Sequence, residues 1–126
     1  MKYNLFLDDI RYPVDAFLYT GKLFFNLKEW IIVRSYDEFV SFITENGLPE
    51  FISFDHDLSD KDYDYQGVNI NYNIQEKTGF HCVKWLVEYC MDNNLVFPEY
   101  YVHSMNTEGK KNIIYYIENY KKSLAR

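Results

Sequence analysis

Phe54-Asp55-His56-Asp57-Leu58 sets three ionisable side chains in a row, directly behind the apolar run Phe51-Ile52-Ser53-Phe54. Strands avoid Asp, and cores rarely hold unpaired carboxylates. The stretch therefore reads as a buried strand that delivers polar groups at its carboxyl end. Leu5-Phe6-Leu7-Asp8-Asp9 and Tyr100-Tyr101-Val102-His103-Ser104 end in the same way. Adjacent carboxylates repel, so keeping Asp8 and Asp9 ionised favours a nearby cation. A hard divalent metal, Mg²⁺ or Mn²⁺, takes oxygen ligands of this kind. On an extended backbone Asp55 and Asp57 point to one side and His56 to the other. Both carboxylates would then join Asp8 or Asp9 around the metal, and Asp55 also suits a phosphate-acceptor position. The structural alternatives are a turn cap with a solvated neighbour at Asp8-Asp9 and an Asx turn at Asp55-Asp57.

His56 and His103 share this rim. Imidazole titrates near neutral pH, so the pair suits general acid and base work on a phosphoryl group. The alternative for His103 is a satisfied core histidine. Ser104 and Asn106, with the amides opening a helix near Gly109, suit phosphate oxygens, and Lys110 follows directly. Arg11 suits either a bidentate phosphate contact or a salt bridge to Asp9 or Asp57. His81, beside Phe80, reads as structural. The chain has no Gly-Lys-Ser phosphate loop, no dinucleotide glycine fingerprint and no Cys-x-x-Cys pair.

Four apolar segments must position these groups. Tyr3–Leu7, Trp30–Arg34, Phe51–Phe54 and Tyr100–His103 read as strands. Ser35 with Glu38 forms a capping box that opens a helix, and Asn46-Gly47 closes it ahead of Pro49. Thr78–Asn94 carries Phe80, Val83, Leu86, Val87 and Cys90 on one helical stripe. Lys110–Leu124 carries Ile113, Ile117, Tyr120 and Leu124. Val14–Glu29 has no clear period and reads as a short helix, a hairpin or an irregular excursion around Gly21. Asp60–Gln75, rich in Asp, Asn and Tyr, reads as a long loop. Strands alternating with helices imply a parallel sheet covered on both faces. Ligands of such sheets bind at the carboxyl ends of the strands.

At 126 residues, 48% hydrophobic and 25% charged, the chain is expected to form one folded domain over residues 1–126. A net charge of −6 argues against a duplex nucleic-acid partner, which needs a basic footprint. It leaves room for a small nucleotide or an RNA end in a local basic pocket. Cys82 and Cys90 lie about 12 Å apart along one helix, too far for a disulfide with each other, and read as buried free thiols. The sequence shows neither a signal-peptide pattern nor an apolar run of the ~20 residues that span a bilayer. A cytosolic protein without a membrane partner is expected.

Leu5–Pro13, Ile52–Leu58, Thr78-Gly79 at a helix start and His103–Gly109 occur together in a fixed order and spacing. In this combination the chain resembles the cyclic-phosphate-processing receiver-like domains of bacteria and phages, from Leu5 to Ile117. The resemblance implies a divergent response-regulator receiver fold. That is an α/β three-layer sandwich with a mainly parallel sheet of about four strands, order 2-1-3-4, and helices on both faces. It further implies that Asp8 and Asp9 match the receiver's metal-binding carboxylates and that Asp55 takes the phosphoacceptor-like place. His56, His103 and the lack of a fifth strand-helix unit with its Lys depart from ordinary receivers. The expected function is a metal-assisted phosphoesterase acting on a cyclic phosphate of a nucleotide or RNA terminus. The metal would sit on Asp8, Asp9 and Asp55 or Asp57, with proton transfer by His56 and His103 and with Asp55 counted among the catalytic residues. Arg11, Ser104, Asn106 and Lys110 would hold the phosphate. The alternatives are a non-catalytic cyclic-nucleotide-binding module and a phosphoaccepting receiver using Asp55.

Overall fold

The structure, a computed structural model, describes residues 2–58 and 77–125. Four strands form one parallel sheet: β1 (Asn4–Leu7), β2 (Trp30–Val33), β3 (Phe51–Phe54) and β4 (Glu99–Val102). Their order across the sheet is β2-β1-β3-β4, as the sequence predicts. Leu7 pairs with Val33 on one side and Phe54 on the other, and Phe54 pairs with Val102. This register brings the carboxyl ends of all four strands to one level.

The pleat sorts side chains onto two faces. Leu5, Leu7, Ile52, Phe54 and Val102 point into the larger core, with α3 (Tyr36–Asn46), α4 (Gly79–Asn93) and α5 (Thr107–Leu124). Phe6 points the other way, into a smaller core with Ala16 and Phe25 from α1 (Pro13–Thr20) and α2 (Phe24–Leu27). The sheet is therefore covered on both faces, which suits its continuous apolar strands.

Local signals account for most of the helix ends. Ser35 Oγ accepts from the Glu38 amide at 3.1 Å. The Glu38 carboxylate reaches back to the Arg34 amide at 2.6 Å, one residue earlier than in an ordinary capping box. Gly47 closes α3 at φ +86°, a left-handed value that glycine adopts without a Cβ penalty. The Tyr3 hydroxyl donates to the Gly47 carbonyl and ties that helix end to β1.

Val14–Glu29, illegible in sequence, holds α1 and α2. Pro13 takes the first helical position of α1, and the Asp15 carboxylate accepts from the Tyr12 amide at 2.8 Å. α5 begins at Thr107, three residues before its expected start, because Asn106 caps it. Leu124, expected on the inner face, is exposed at the last turn of α5. Cys82 and Cys90 are buried free thiols, and burial pushes both thiol pKa values up. The expected loop over Asp60–Gln75 lies outside the described residues. Among the described residues, no helix is long and apolar enough to cross a membrane.

Candidate functional site

The sheet ladder extends one residue past three of its strands. The Asp8 amide donates to the Val33 carbonyl at 3.1 Å, the Asp55 amide to Leu7 at 3.0 Å and the His103 amide to Phe54 at 2.9 Å. By alternation, Asp8, Ser53, Asp55 and His103 all lie on the Phe6 face of the sheet. The rim expected from sequence is thus held by backbone hydrogen bonds. Ligand atoms of Asp8, Asp55 and His103 lie within 4.8 Å of one another.

Asp8 is fully buried, and both of its carboxylate oxygens have hydrogen-bond partners. Oδ1 accepts from the Ile10 and Arg11 amides at 3.0 and 2.8 Å, and Oδ2 lies 3.0 Å from His103 Nε2. Burial pushes this carboxyl up. The His103 contact and the two amides outweigh burial and hold its pKa down at about 2. The His103 ring is stacked on Phe6 at a centroid distance of 4.5 Å, with Phe25 edge-on at 6.0 Å. Its Nδ1 lies 2.7 Å from Ser53 Oγ. Burial lowers the imidazole pKa and favours the neutral ring. The hydrogen-bond network then assigns one tautomer: Nε2–H donates to Asp8 and Nδ1 accepts from the Ser53 hydroxyl.

Asp55 is the contrasting carboxyl. Its Oδ1 accepts the His56 amide at 2.8 Å. Burial, followed by the negative charge of Asp8, raises its pKa to about 7. Two buried carboxyls thus differ widely, one with donors around it and one facing like charge.

A cavity of about 270 Å³ opens above Asp55, lined by Asp9, Arg11, Asp55, Asp57, Ser104 and Asn106 among others. Six of the sequence-predicted residues therefore meet there. The Arg11 guanidinium lies 5.2 Å over the Tyr19 ring and donates to Met105 Sδ at 3.4 Å. Ser104 Oγ accepts from the Asn106 amide at 3.0 Å.

Four of the expected side chains are engaged with other groups of the protein. His103 is a core histidine whose two ring nitrogens face Ser53 Oγ and Asp8 Oδ2. His56 does not line the cavity and packs on Gly109, where a Cβ would meet its Cγ at 2.3 Å. Its Nδ1 contacts Asp57 Oδ1 at 2.8 Å. Asn106 is a helix cap, its Oδ1 accepting from the Gly109 amide at 2.8 Å. Its Nδ2 donates to both Asp57 oxygens at 3.2 Å, so it holds Asp57 in place. Lys110 lines a neighbouring cavity instead, with Nζ 5.6 Å over the Tyr101 ring. His81 is structural, as read: its Nδ1 accepts from the Thr78 amide at 2.9 Å at the start of α4.

Three supporting residues escaped the sequence reading. Ser53 completes the His103 relay from inside an apparently apolar run. Tyr19 donates its hydroxyl to the His103 carbonyl at 2.5 Å. Arg34, just past β2, donates from Nη1 to the carbonyls of Asp8 and Arg11 at 3.2 and 2.5 Å. It clamps the loop that carries the acidic pair. The signal for Arg34 is the β2-β1 pairing, which places the residue after Val33 beside the residue after Leu7.

Gly79 matters for another reason. A Cβ there would lie 1.8 Å from the Asp55 carbonyl oxygen, and the Gly79 amide donates to the His56 carbonyl at 2.7 Å. Gly79→Ala is expected to cost roughly 1–3 kcal/mol through this backbone clash. Urea denaturation checks it, and a midpoint equal to wild type would show that α4 can retreat freely.

A family model described as a cyclic-phosphate processing receiver domain matches residues 3–119. No curated protein and no solved structure gives a significant match. The matched span takes in the whole sheet and the carboxylate rim, and the chain belongs to the family of cyclic-phosphate processing receiver domains.

Proposed function

We propose that this chain is a metal-assisted phosphoesterase that opens a cyclic phosphate on a nucleotide or RNA terminus. The observation that carries the reading is one cavity in which buried carboxylates meet a guanidinium. Asp9, Asp55 and Arg11 line it, and Asp8 stands behind Asp55. The three carboxylates suit a hard cation, because their donors are oxygens and Asp55 is held near like charge. Asp8, Asp9 and Asp55 would hold Mg²⁺ or Mn²⁺. Such an ion supplies Lewis-acid polarisation of a phosphoryl oxygen and lowers the pKa of water.

The chain's own groups do the rest. Ser53 and His103 keep Asp8 oriented and ionised. Arg11, held by an aromatic ring and a thioether, swings to the phosphate oxygens, and the Ser104 hydroxyl donates beside it. Asp57, fixed by Asn106 and His56, takes a proton from the attacking water, and the His56 Nδ1–H steadies its charge. Water forms a new P–O bond and a ring P–O bond breaks; the proton that Asp57 takes from the water passes to the freed ester oxygen, which stays on the opened product. The product is a phosphomonoester.

The test is a panel of cyclic mono-, di- and oligonucleotides and RNA ending in a 2′,3′-cyclic phosphate, incubated with protein and Mg²⁺ or Mn²⁺. At least one member should be opened. Arg11→Ala should lower its kcat/KM by roughly 100-fold. A wholly intact panel sinks the enzyme reading. The placement of both imidazoles outside the cavity lining favours a second reading, a module that binds a cyclic nucleotide without turnover. Calorimetry on the same panel separates them, since tight binding of an intact ligand supports the second.

A further inference from the structure

A second cavity, also of about 270 Å³, adjoins the first. Tyr19, Thr20, Tyr101, Ser104, Met105 and Lys110 line it. Ser104 and Met105 belong to both cavities. Met105 is 63% exposed, and the Arg11 guanidinium of the first cavity rests on Met105 Sδ and on the ring of Tyr19, which lines the second. Movement of Arg11 toward a phosphate would release both contacts. Small-ligand sites usually enclose ~300–1,000 Å³. Neither cavity reaches that range alone, and the two together do.

We infer that the second cavity is the nucleoside subsite of the ligand whose phosphate occupies the first. The inference rests on the phosphate reading of the carboxylate cavity and adds to it the class of group attached to that phosphate. The lining chemistry favours a base and ribose over a second phosphate. Among the described residues it offers two phenol rings, the hydroxyl groups of Thr20 and Ser104 and a single ammonium, and that ammonium is already placed over the Tyr101 ring. Aromatic faces accept any base by stacking, and a lone cation beside them supplies a hydrogen bond to a base or ribose acceptor. The Tyr19 hydroxyl proton is committed to the His103 carbonyl and the Thr20 hydroxyl proton to the Ala16 carbonyl. Tyr19 therefore presents its ring, and Thr20 an oxygen that accepts. With Arg11 drawn to the first phosphate, a second one would find, among the described lining residues, one cation, Lys110, and several acceptor oxygens, a poor match for two negative charges.

Two measurements test this. In the first, calorimetry with Mg²⁺ compares 2′,3′-cyclic AMP with glycerol 1,2-cyclic phosphate, which has the same ring and no nucleoside. The nucleotide should bind at least ten-fold more tightly to the wild type. Lys110→Met, which keeps the methylene packing on Tyr101 and removes the charge, should erase most of that difference. Its affinity for the glycerol compound should stay within two-fold. Equal affinity of the two ligands for the wild type, or an equal loss for both in Lys110→Met, overturns the subsite and leaves the phosphate reading standing. In the second, adenosine alone is titrated into ¹⁵N-labelled protein. Shifts confined to the amides of Thr20, Val102, Ser104 and Lys110 support the subsite. If neither cyclic phosphate binds, the phosphate reading fails, and this titration still decides whether the cavity takes a nucleoside; unmoved amides overturn it.

Discussion

Asp55→Asn should make the metal-free protein more stable, by about 2–4 kcal/mol at pH 8. The Asp55 carboxyl has a pKa raised from 3.8 to about 7 by burial and by Asp8, so ionising it in the folded state is unfavourable. Each pKa unit corresponds to ~1.4 kcal/mol. The sign follows from proton counts. Between pH 3.8 and about 7 the folded chain holds a proton on Asp55 that the unfolded chain has lost. Stability therefore falls as pH rises through this window and is flat above it. Asparagine keeps the shape and removes the titration, so the variant should lose that slope. Asp8 acts in the opposite sense. Its pKa lies at about 2, so its contribution is present above pH 3.8 and fades as pH falls toward 2. Wild-type stability should then peak near pH 3.8 in the absence of metal, where those two windows meet. Thermal unfolding over pH 3–8 measures this, and a gain of 2–4 kcal/mol corresponds to roughly 8–16 °C. Mg²⁺ should stabilise the wild type and have much less effect on Asp55→Asn. A variant less stable than wild type at pH 8 would show that the carboxylate repulsion is already neutralised.

His103→Ala should be strongly destabilising, by about 3–5 kcal/mol. The substitution removes a ring stacked on Phe6 and leaves the Asp8 carboxylate and Ser53 hydroxyl without their partner, all inside the smaller core. His103→Phe separates the two contributions, since it refills the space and restores no hydrogen bond. Ser53→Ala should cost about 1–2 kcal/mol, because it leaves Nδ1 unpaired while Asp8 keeps its donor. If His103 were instead a proton carrier for a ligand, Ser53→Ala would alter the pH profile of turnover with little change in stability. Urea denaturation of the three variants, paired with Mg²⁺ titration, distinguishes the cases.

Much of the architecture was legible because central parallel strands read as apolar runs that end abruptly in charge. Leu5–Asp9 and Ile52–Asp57 each announce a strand and a site edge in one stretch. The face of each side chain was harder to read. His103 follows Val102, and strand alternation sends it toward Phe6 once Val102 is known to face α3–α5. Without the sheet order, a core histidine and a rim histidine look alike. Asn106 shows a similar ambiguity, since a short polar side chain before a helix serves equally as cap or ligand. The Val14–Glu29 stretch stayed opaque because α1 and α2 bury little of themselves. Ala16 and Phe25 are buried, whereas Val14, Leu18, Leu23 and Leu27 are exposed, which blurs any amphipathic period. Ser53 was hidden by its apolar neighbours, although a lone polar residue inside a central strand is itself a sign of a buried partner.

The two-sided core also gives the protein a built-in optical probe. Its two tryptophans lie on opposite faces of the sheet. Trp30 sits 5.8 Å from Phe6 and 5.6 Å from Phe25, the two rings that enclose His103. Trp85 stacks on Tyr89 at 4.9 Å and meets Phe39 edge-on in the other layer. Any event that shifts Asp8 and its imidazole will reach one indole through directly packed rings and leave the other as an internal reference. Emission from Trp85→Phe and Trp30→Phe proteins can therefore report cation arrival at the rim without an added dye.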